Sequence, residues 1–157
     1  MNYDKKVSNK EVFMEYKIER LKIEDINGLF NLLIDIFKTD IKIDNLYRLI
    51  NNKDIIDLVA KVDNQVVGHA MVEVRYDLFT NDKYFYLNYF CVDEEYRCKG
   101  IGNSLLIELE RLALEYNIHY MKFTSNNKRK NAHSFYKNRG YQIRDTSVFI
   151  KYFRRVV

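Results

Sequence analysis

A chain of 157 residues with 47% hydrophobic and 31% charged residues, five glycines and no proline can bury one core and has no material for a flexible linker or a low-complexity segment. Cys91 and Cys98 are the only cysteines, too few for a disulfide framework and at a spacing that matches no metal knuckle, so free thiols and no metal are expected. Met1 to Lys10 is polar and charged, and the longest uncharged apolar stretch, Tyr84 to Val92, is far short of a membrane span, so the expected compartment is the cytoplasm, with no membrane partner.

The net charge of +4 is unevenly spread. Residues 126 to 157 hold nine Lys/Arg against one acid, Asp145, whereas the preceding 125 residues hold seventeen bases and twenty-one acids. Such a basic C-terminal third suits a polyanionic small ligand, a nucleic acid, or solubility alone.

In chain order, residues 16 to 21 alternate with the period of a half-buried strand. Asp25 then precedes Ile26, Leu29, Phe30, Leu33, Ile36 and Phe37 at helical spacing. A second helical pattern follows at Ile43, Leu46, Tyr47 and Ile50. Ile55 to Val62 and Gln65 to Tyr76 read as strands joined by a tight turn at Asp63-Asn64, and Gly68 inside the second strand signals a bulge or a close backbone approach. Lys83 to Val92 is dense in Tyr and Phe on both faces, which predicts the middle strand of the sheet.

Ile101, Leu105, Leu109, Leu112 and Ala113 then fall on one helical stripe, opposite Glu108, Arg111 and Glu115. His119 to Thr124 predicts a short strand and Asn131 to Asn138 a helix ended by Gly140. Gln142 to Arg144 and Ser147 to Phe153 predict two closing strands. The order β-α-α-β-β-β-α-β-α-β-β defines an α/β chain with a mixed sheet and helices on both faces. One domain is expected over 1–157, with its core at about 15–153.

The stretch that carries chemistry joins the aromatic strand to the strongest helix: Val92-Asp93-Glu94-Glu95-Tyr96-Arg97-Cys98-Lys99-Gly100-Ile101-Gly102-Asn103. Glycines at 100 and 102 permit close approach and unusual φ angles, so the N–H groups of the helix's first turn can converge on an anion, assisted by the helix dipole. Arg97 and Lys99 add positive charge beside them. A phosphate or pyrophosphate is the natural occupant. A dinucleotide fingerprint would need a third glycine at Leu105, and a P-loop would need Gly-Lys-Ser/Thr at the helix start; neither is present.

Arg97-Cys98-Lys99-Gly100-Ile101-Gly102 resembles the Arg/Gln-x-x-Gly-x-Gly/Ala pyrophosphate motif of the GCN5-related N-acetyltransferase (GNAT) superfamily, and the order of elements matches that fold. Thr124 to Tyr141, with Ala132, Phe135, Tyr136 and Gly140, is similar to the strand-helix unit in which those enzymes carry Ala-x-x-Phe/Leu-Tyr-x-x-x-Gly-Phe/Tyr. The resemblance covers about residues 15 to 153. It implies an acetyl-CoA cosubstrate: backbone groups of Phe90, Cys91 and Val92 would pair with the pantetheine arm, and the amides of Cys98, Lys99, Gly100, Ile101, Gly102 and Asn103 would hold the pyrophosphate. It further implies that Asn126 or Asn127 contacts the pantetheine, that Tyr136 aims its hydroxyl at the thioester sulfur, and that Lys128-Arg129-Lys130 meets the 3′-phosphate unless that run is simply solvated.

Transfer to an amine needs a neutral nucleophile, a donor for the carbonyl oxygen and an acid for the leaving thiolate. Backbone N–H near Cys91 or Val92 is the candidate donor and Tyr136 the candidate acid, with a core tyrosine as the plain alternative. Where related enzymes often carry a glutamate base, the resemblance aligns Asn88, which takes no proton. Glu73 and His69 are alternative proton acceptors, each also readable as an ordinary strand residue, and His133 reads as a helix-surface histidine beside the site. Cys98 is expected at the pyrophosphate rather than the thioester, with no histidine to activate it, which argues against a covalent acetyl-enzyme.

The expected acceptor is a small primary amine, which Asp35, Asp40 and Asp44 would attract by charge. Protein or peptide acetylation is the alternative, and a non-catalytic acyl-CoA-binding or nucleic-acid-binding module is the rival class. A nucleic-acid partner is not expected, because the aromatics lie mostly on predicted core strands and the signature of an RNA-binding sheet is missing. A homodimer is left open.

Overall fold

The computed structural model describes residues 14–153; the charged stretch Met1 to Lys10 lies outside them. Its backbone divides into two compact units, one running to Phe123 and the other starting at Thr124. The first contains β1 (Lys17–Arg20), α1 (Ile26–Phe37), α2 (Ile43–Ile50), β2 (Ile55–Val62), β3 (Gln65–Asp77), β4 (Asp82–Val92), α3 (Ile101–Glu115) and β5 (Tyr120–Lys122); the second contains α4 (Lys130–Asn138). Among the described residues no helix is long and apolar enough to cross a membrane.

The five strands form one sheet in the order β1-β2-β3-β4-β5. The first three pairings are antiparallel and β4–β5 is parallel, so the sheet is mixed as the sequence predicts. The middle position belongs to β3 rather than to β4. β3 is the longest strand, its residues Val66 to Val72 are all buried, and it carries a full ladder on each side. The aromatic density of β4 serves a different end, since Tyr84, Tyr86 and Tyr89 pack rings and cations on one face.

Helices cover both faces of this sheet. Val59, His69 and Cys91 are cross-strand partners and therefore share a face. Val59 and Cys91 join Ile26, Leu29, Leu32, Leu33 and Leu46 of α1 and α2 in one buried cluster, each large side chain contributing about 1.5–3 kcal/mol of transfer free energy. Ala60, Gly68 and Val92 point the other way. There a Cβ on Gly68 would stand 3.2 Å from Ala60 Cβ, 3.2 Å from Ile101 Cγ2 and 3.3 Å from Leu105 Cδ1. The glycine thus lets the first turns of α3 lie directly on the strand. Both readings of Gly68 hold, because the β2–β3 register also slips beside it: Ala60 faces Gly68 while Lys61 faces Val66, leaving Val67 as the extra residue of a bulge.

The Asp63-Asn64 turn is realised with φ of 48° and 66°, the two left-handed positions of a type I′ hairpin. The two closing strands are not. No strand forms between residues 141 and 153, and Ile143, Val148, Phe149, Ile150, Tyr152 and Phe153 are exposed. Alternation and β-branched residues record a preference for extended backbone, but a strand exists only where a neighbour supplies its ladder.

Candidate active site

β4 is bent by a bulge before it reaches the glycine loop. Met71 faces Tyr89 and Val72 faces Leu87, so Asn88, the position aligned with a catalytic glutamate, is the extra residue. On its other edge β4 pairs with β5 over Tyr84–Tyr86, while its ladder with β3 runs on to Val92. The strand therefore leaves its parallel neighbour behind before it enters the loop.

Local bonds then fold the chain back toward α3. Asp93 N–H donates to the carbonyl of the bulge residue Val67 (2.9 Å), and the Asp93 carboxylate accepts from Glu95 N–H (2.9 Å) to start a short turn over Glu94–Tyr96. Cys98 and Gly100 both adopt left-handed backbone, with φ of 58° and 88°. At Gly100 the glycine matters doubly, since a Cβ there would also meet the Tyr16 hydroxyl at 3.3 Å. The first intrahelical bond of α3 is Ser104 N–H to Gly100 C=O (3.0 Å). The amides of Ile101 and Gly102 thus have no acceptor within the helix, at the positive end of its dipole. These backbone groups fit a phosphate.

The basic side chains of the loop are anchored by local contacts. Arg97 donates from Nε to the Val92 carbonyl (2.9 Å) and pairs with Glu94 (3.3 Å). Lys99 donates to the Glu95 carbonyl (2.8 Å) and lies over the Tyr96 ring. These bonds hold the loop's shape, and Glu94 offsets part of the Arg97 charge. Cys91 is buried and Cys98 exposed, neither in a disulfide. The sequence reading missed Tyr16, whose hydroxyl lies 2.8 Å from Ser104 Oγ; a pair 88 residues apart leaves no local signature.

Of the candidate proton acceptors on β3, Glu73 forms an ion pair with Arg75 (2.7 Å), whose guanidinium covers the Tyr86 ring at 4.0 Å. His69 is only 2% exposed, and its Nε2 lies 2.8 Å from Asp57 Oδ1. Its ring stacks toward Tyr89, 6.5 Å between centroids. Asp57 lines a cavity of about 360 Å³ together with Arg20, Lys53 and Tyr116. Asp35 lines a second, of about 240 Å³, with Glu24, Asp25 and Asp93. Asp40 and Asp44 are exposed. Among the described residues no group of three His, Cys, Asp or Glu is arranged to hold a metal ion.

The second unit carries the remaining candidates. Asn126 Oδ1 accepts from Lys128 N–H (2.9 Å) in a turn that leads into α4, and Asn127 and Lys128 to Lys130 are exposed. His133 is half-buried on α4. Tyr136 is buried, and burial pushes its phenol above the ordinary range, opposed by the Arg129 charge. Gly140, at φ 87°, ends the helix in a paired cap: Gly140 N–H donates to Lys137 C=O (2.9 Å) and Tyr141 N–H to Tyr136 C=O (3.1 Å). That cap brings the Tyr141 ring edge-on to Tyr136, with centroids 6.0 Å apart.

A β strand that bulges, parts from its neighbour and runs through left-handed turns into a helix N-terminus ends at a turn suited to an anion. The family model described as Acetyltransferase (GNAT) family matches residues 26–141, and the chain belongs to that family. Solved structures share the fold. An aminoglycoside acetyltransferase from an uncultured soil metagenomic sample, in complex with trehalose, superposes with a TM-score of 0.78 at 21% identity, over 89% of this chain and 97% of that one. An aminoglycoside antibiotic 6′-N-acetyltransferase from Acinetobacter baumannii gives 0.77 at 17%, over 90% and 100%. A ribosomal-protein-alanine N-acetyltransferase from Brucella melitensis biovar Abortus 2308 gives 0.76 at 18%, over 87% and 99%. No curated protein matches the chain by sequence.

Proposed function

We propose that the chain works as one N-acetyltransferase domain that transfers the acetyl group of acetyl-CoA to the primary amine of a small molecule, by direct attack in a ternary complex. The observation that carries this reading is the run from β4 into α3: a strand whose parallel ladder stops at Tyr86, two left-handed residues, and a helix whose first-turn amides lack intrahelical acceptors. A pantetheine arm beside Phe90 to Val92 would exchange backbone hydrogen bonds as an added strand does. Its pyrophosphate would then reach the amides of 98–103, with Asn126 or Asn127 on the pantetheine. Tyr136 is the acid for the departing thiolate: a phenol carries its proton at neutral pH, and burial raises its pKa further.

The small-amine acceptor is supported by the aminoglycoside acetyltransferases among the structural neighbours. The ribosomal-protein-alanine N-acetyltransferase among them supports a peptide acceptor as the second reading. Calorimetric titration with acetyl-CoA tests the loop assignment. Gly102→Glu puts bulk and negative charge against the pyrophosphate, and its affinity is expected to fall about tenfold or more, each tenfold being about 1.4 kcal/mol. Undiminished affinity would place the cosubstrate elsewhere.

A further inference from the structure

His69 is almost wholly enclosed, yet among the described residues only one of its nitrogens has a hydrogen-bond partner. Nε2 lies 2.8 Å from Asp57 Oδ1, whereas Nδ1 is buried with no hydrogen-bond partner among the described residues. An ionised carboxylate only accepts, so it selects the tautomer with the proton on Nε2 and leaves a lone pair on Nδ1. His69 faces Cys91 across the β3–β4 ladder and stacks toward Tyr89. It therefore stands beside the β4 segment assigned to the cosubstrate, opposite Cys91 and so three residues past the Asn88 bulge, where the chain has no carboxylate of its own.

We propose that His69, with Asp57 as its positioning residue, takes the proton of the acceptor ammonium through an intervening water. This rests on the acetyltransferase reading above and supplies the proton acceptor that Asn88 cannot be. One N–H bond of the ammonium breaks and its proton passes through the water to Nδ1, giving an imidazolium that Asp57 compensates. The freed electron pair forms the new C–N bond as the C–S bond breaks. The second amine proton goes to the thiolate, and the imidazolium returns its proton to solvent.

The surroundings keep this pair isolated. From β2 the charged neighbour is Asp57 itself, from β4 the ionisable ones are Tyr89 and Cys91, and further along β3 Glu73 is occupied by Arg75. Ile26, Leu29, Leu32, Leu33 and Leu46, the α1 and α2 residues in the buried cluster with Val59 and Cys91, carry no charge. Arg20 and Lys53 line with Asp57 the cavity of about 360 Å³.

The test is the pH profile of kcat/KM for the amine at saturating acetyl-CoA, in wild type, His69→Gln and Asp57→Asn. Wild type should rise to a plateau. His69→Gln should lose about 10²-fold at pH 7 and recover tenfold per pH unit up to the pKa of the amine, because only solvent then makes the neutral nucleophile. Asp57→Asn should lose a comparable factor, and acetyl-CoA affinity should be unchanged in both. Profiles of the same shape in wild type and His69→Gln overturn the relay while leaving acetyl transfer intact, whereas a wild type that acetylates no amine overturns both readings. Nitrogen-15 spectra of the wild-type imidazole, one of three in the chain, read the tautomer without any variant. A proton on Nε2 supports the relay and a proton on Nδ1 overturns it.

Discussion

Gly68 on β3 and Ile101 at the start of α3 approach so closely that a methyl group on the glycine would stand 3.2 Å from Ile101 Cγ2. The same methyl would meet Leu105 and Ala60, so the helix has one seat on the sheet, and that seat fixes where its first-turn amides point. Gly68→Ala should overpack this layer, costing about 1–3 kcal/mol, or several degrees in Tm for a domain of this size. Acetyl-CoA affinity should fall with it, because the helix start must shift to make room. A variant that melts as wild type and binds equally well would show that α3 is not held at this point.

Tyr136 tests the chemistry rather than the scaffold. A phenol is a proton donor through the neutral range, and burial raises the pKa of this one further. Tyr136→Phe preserves the ring that packs against Phe135 and Tyr141 and removes only the hydroxyl. We expect kcat to drop about 10²-fold or more with acetyl-CoA binding nearly unchanged. Equal kcat, with the chemical step shown to be rate-limiting, would reduce the residue to packing.

The far end of the sheet gives a pH signature. Tyr120 donates to Asp77 at 2.8 Å. That bond, followed by the Phe79 N–H, holds the Asp77 carboxyl below its ordinary range, so its contribution is present above the unfolded carboxylate pKa and is lost as pH falls through the lowered value. Burial first, and Asp77 second, push the Tyr120 phenol up to about 12. Its contribution is present below the unfolded phenol value of about 10 and is lost as pH rises toward the folded one. Tyr120→Phe should therefore melt below wild type by a constant margin between about pH 5 and 9, and the margin should shrink toward both extremes. A margin independent of pH would mean the hydroxyl contributes nothing through this bond.

Much of this was legible from spacing alone. The stripes that define α1 and α3 are set by helical period, and Asp63-Asn64 could hardly be anything but a left-handed turn, because those side chains tolerate positive φ. Gly68 signalled a bulge or a close approach, and the structure has both. The Asn88 bulge was not legible, since the extra residue is defined only by the register with β3. The His69–Asp57 bond is similar: both residues are plain in the sequence, and only the β2–β3 pairing makes them diagonal neighbours on one face. Residues 142 to 153 show the reverse, a β preference without a ladder to express it.

The acceptor is the claim on which the rest converges, and one assay addresses it directly. Wild-type protein is incubated with acetyl-CoA and a panel of small amines, aminoglycosides, aminophosphonates, polyamines and short peptides, and the acetylated products are identified by mass spectrometry with initial rates for each. N-acetylation of a small primary amine is expected, with kcat/KM above that of every peptide. Peptides acetylated with kcat/KM well above that of every small amine, or coenzyme binding with no transfer to anything in the panel, would contradict it.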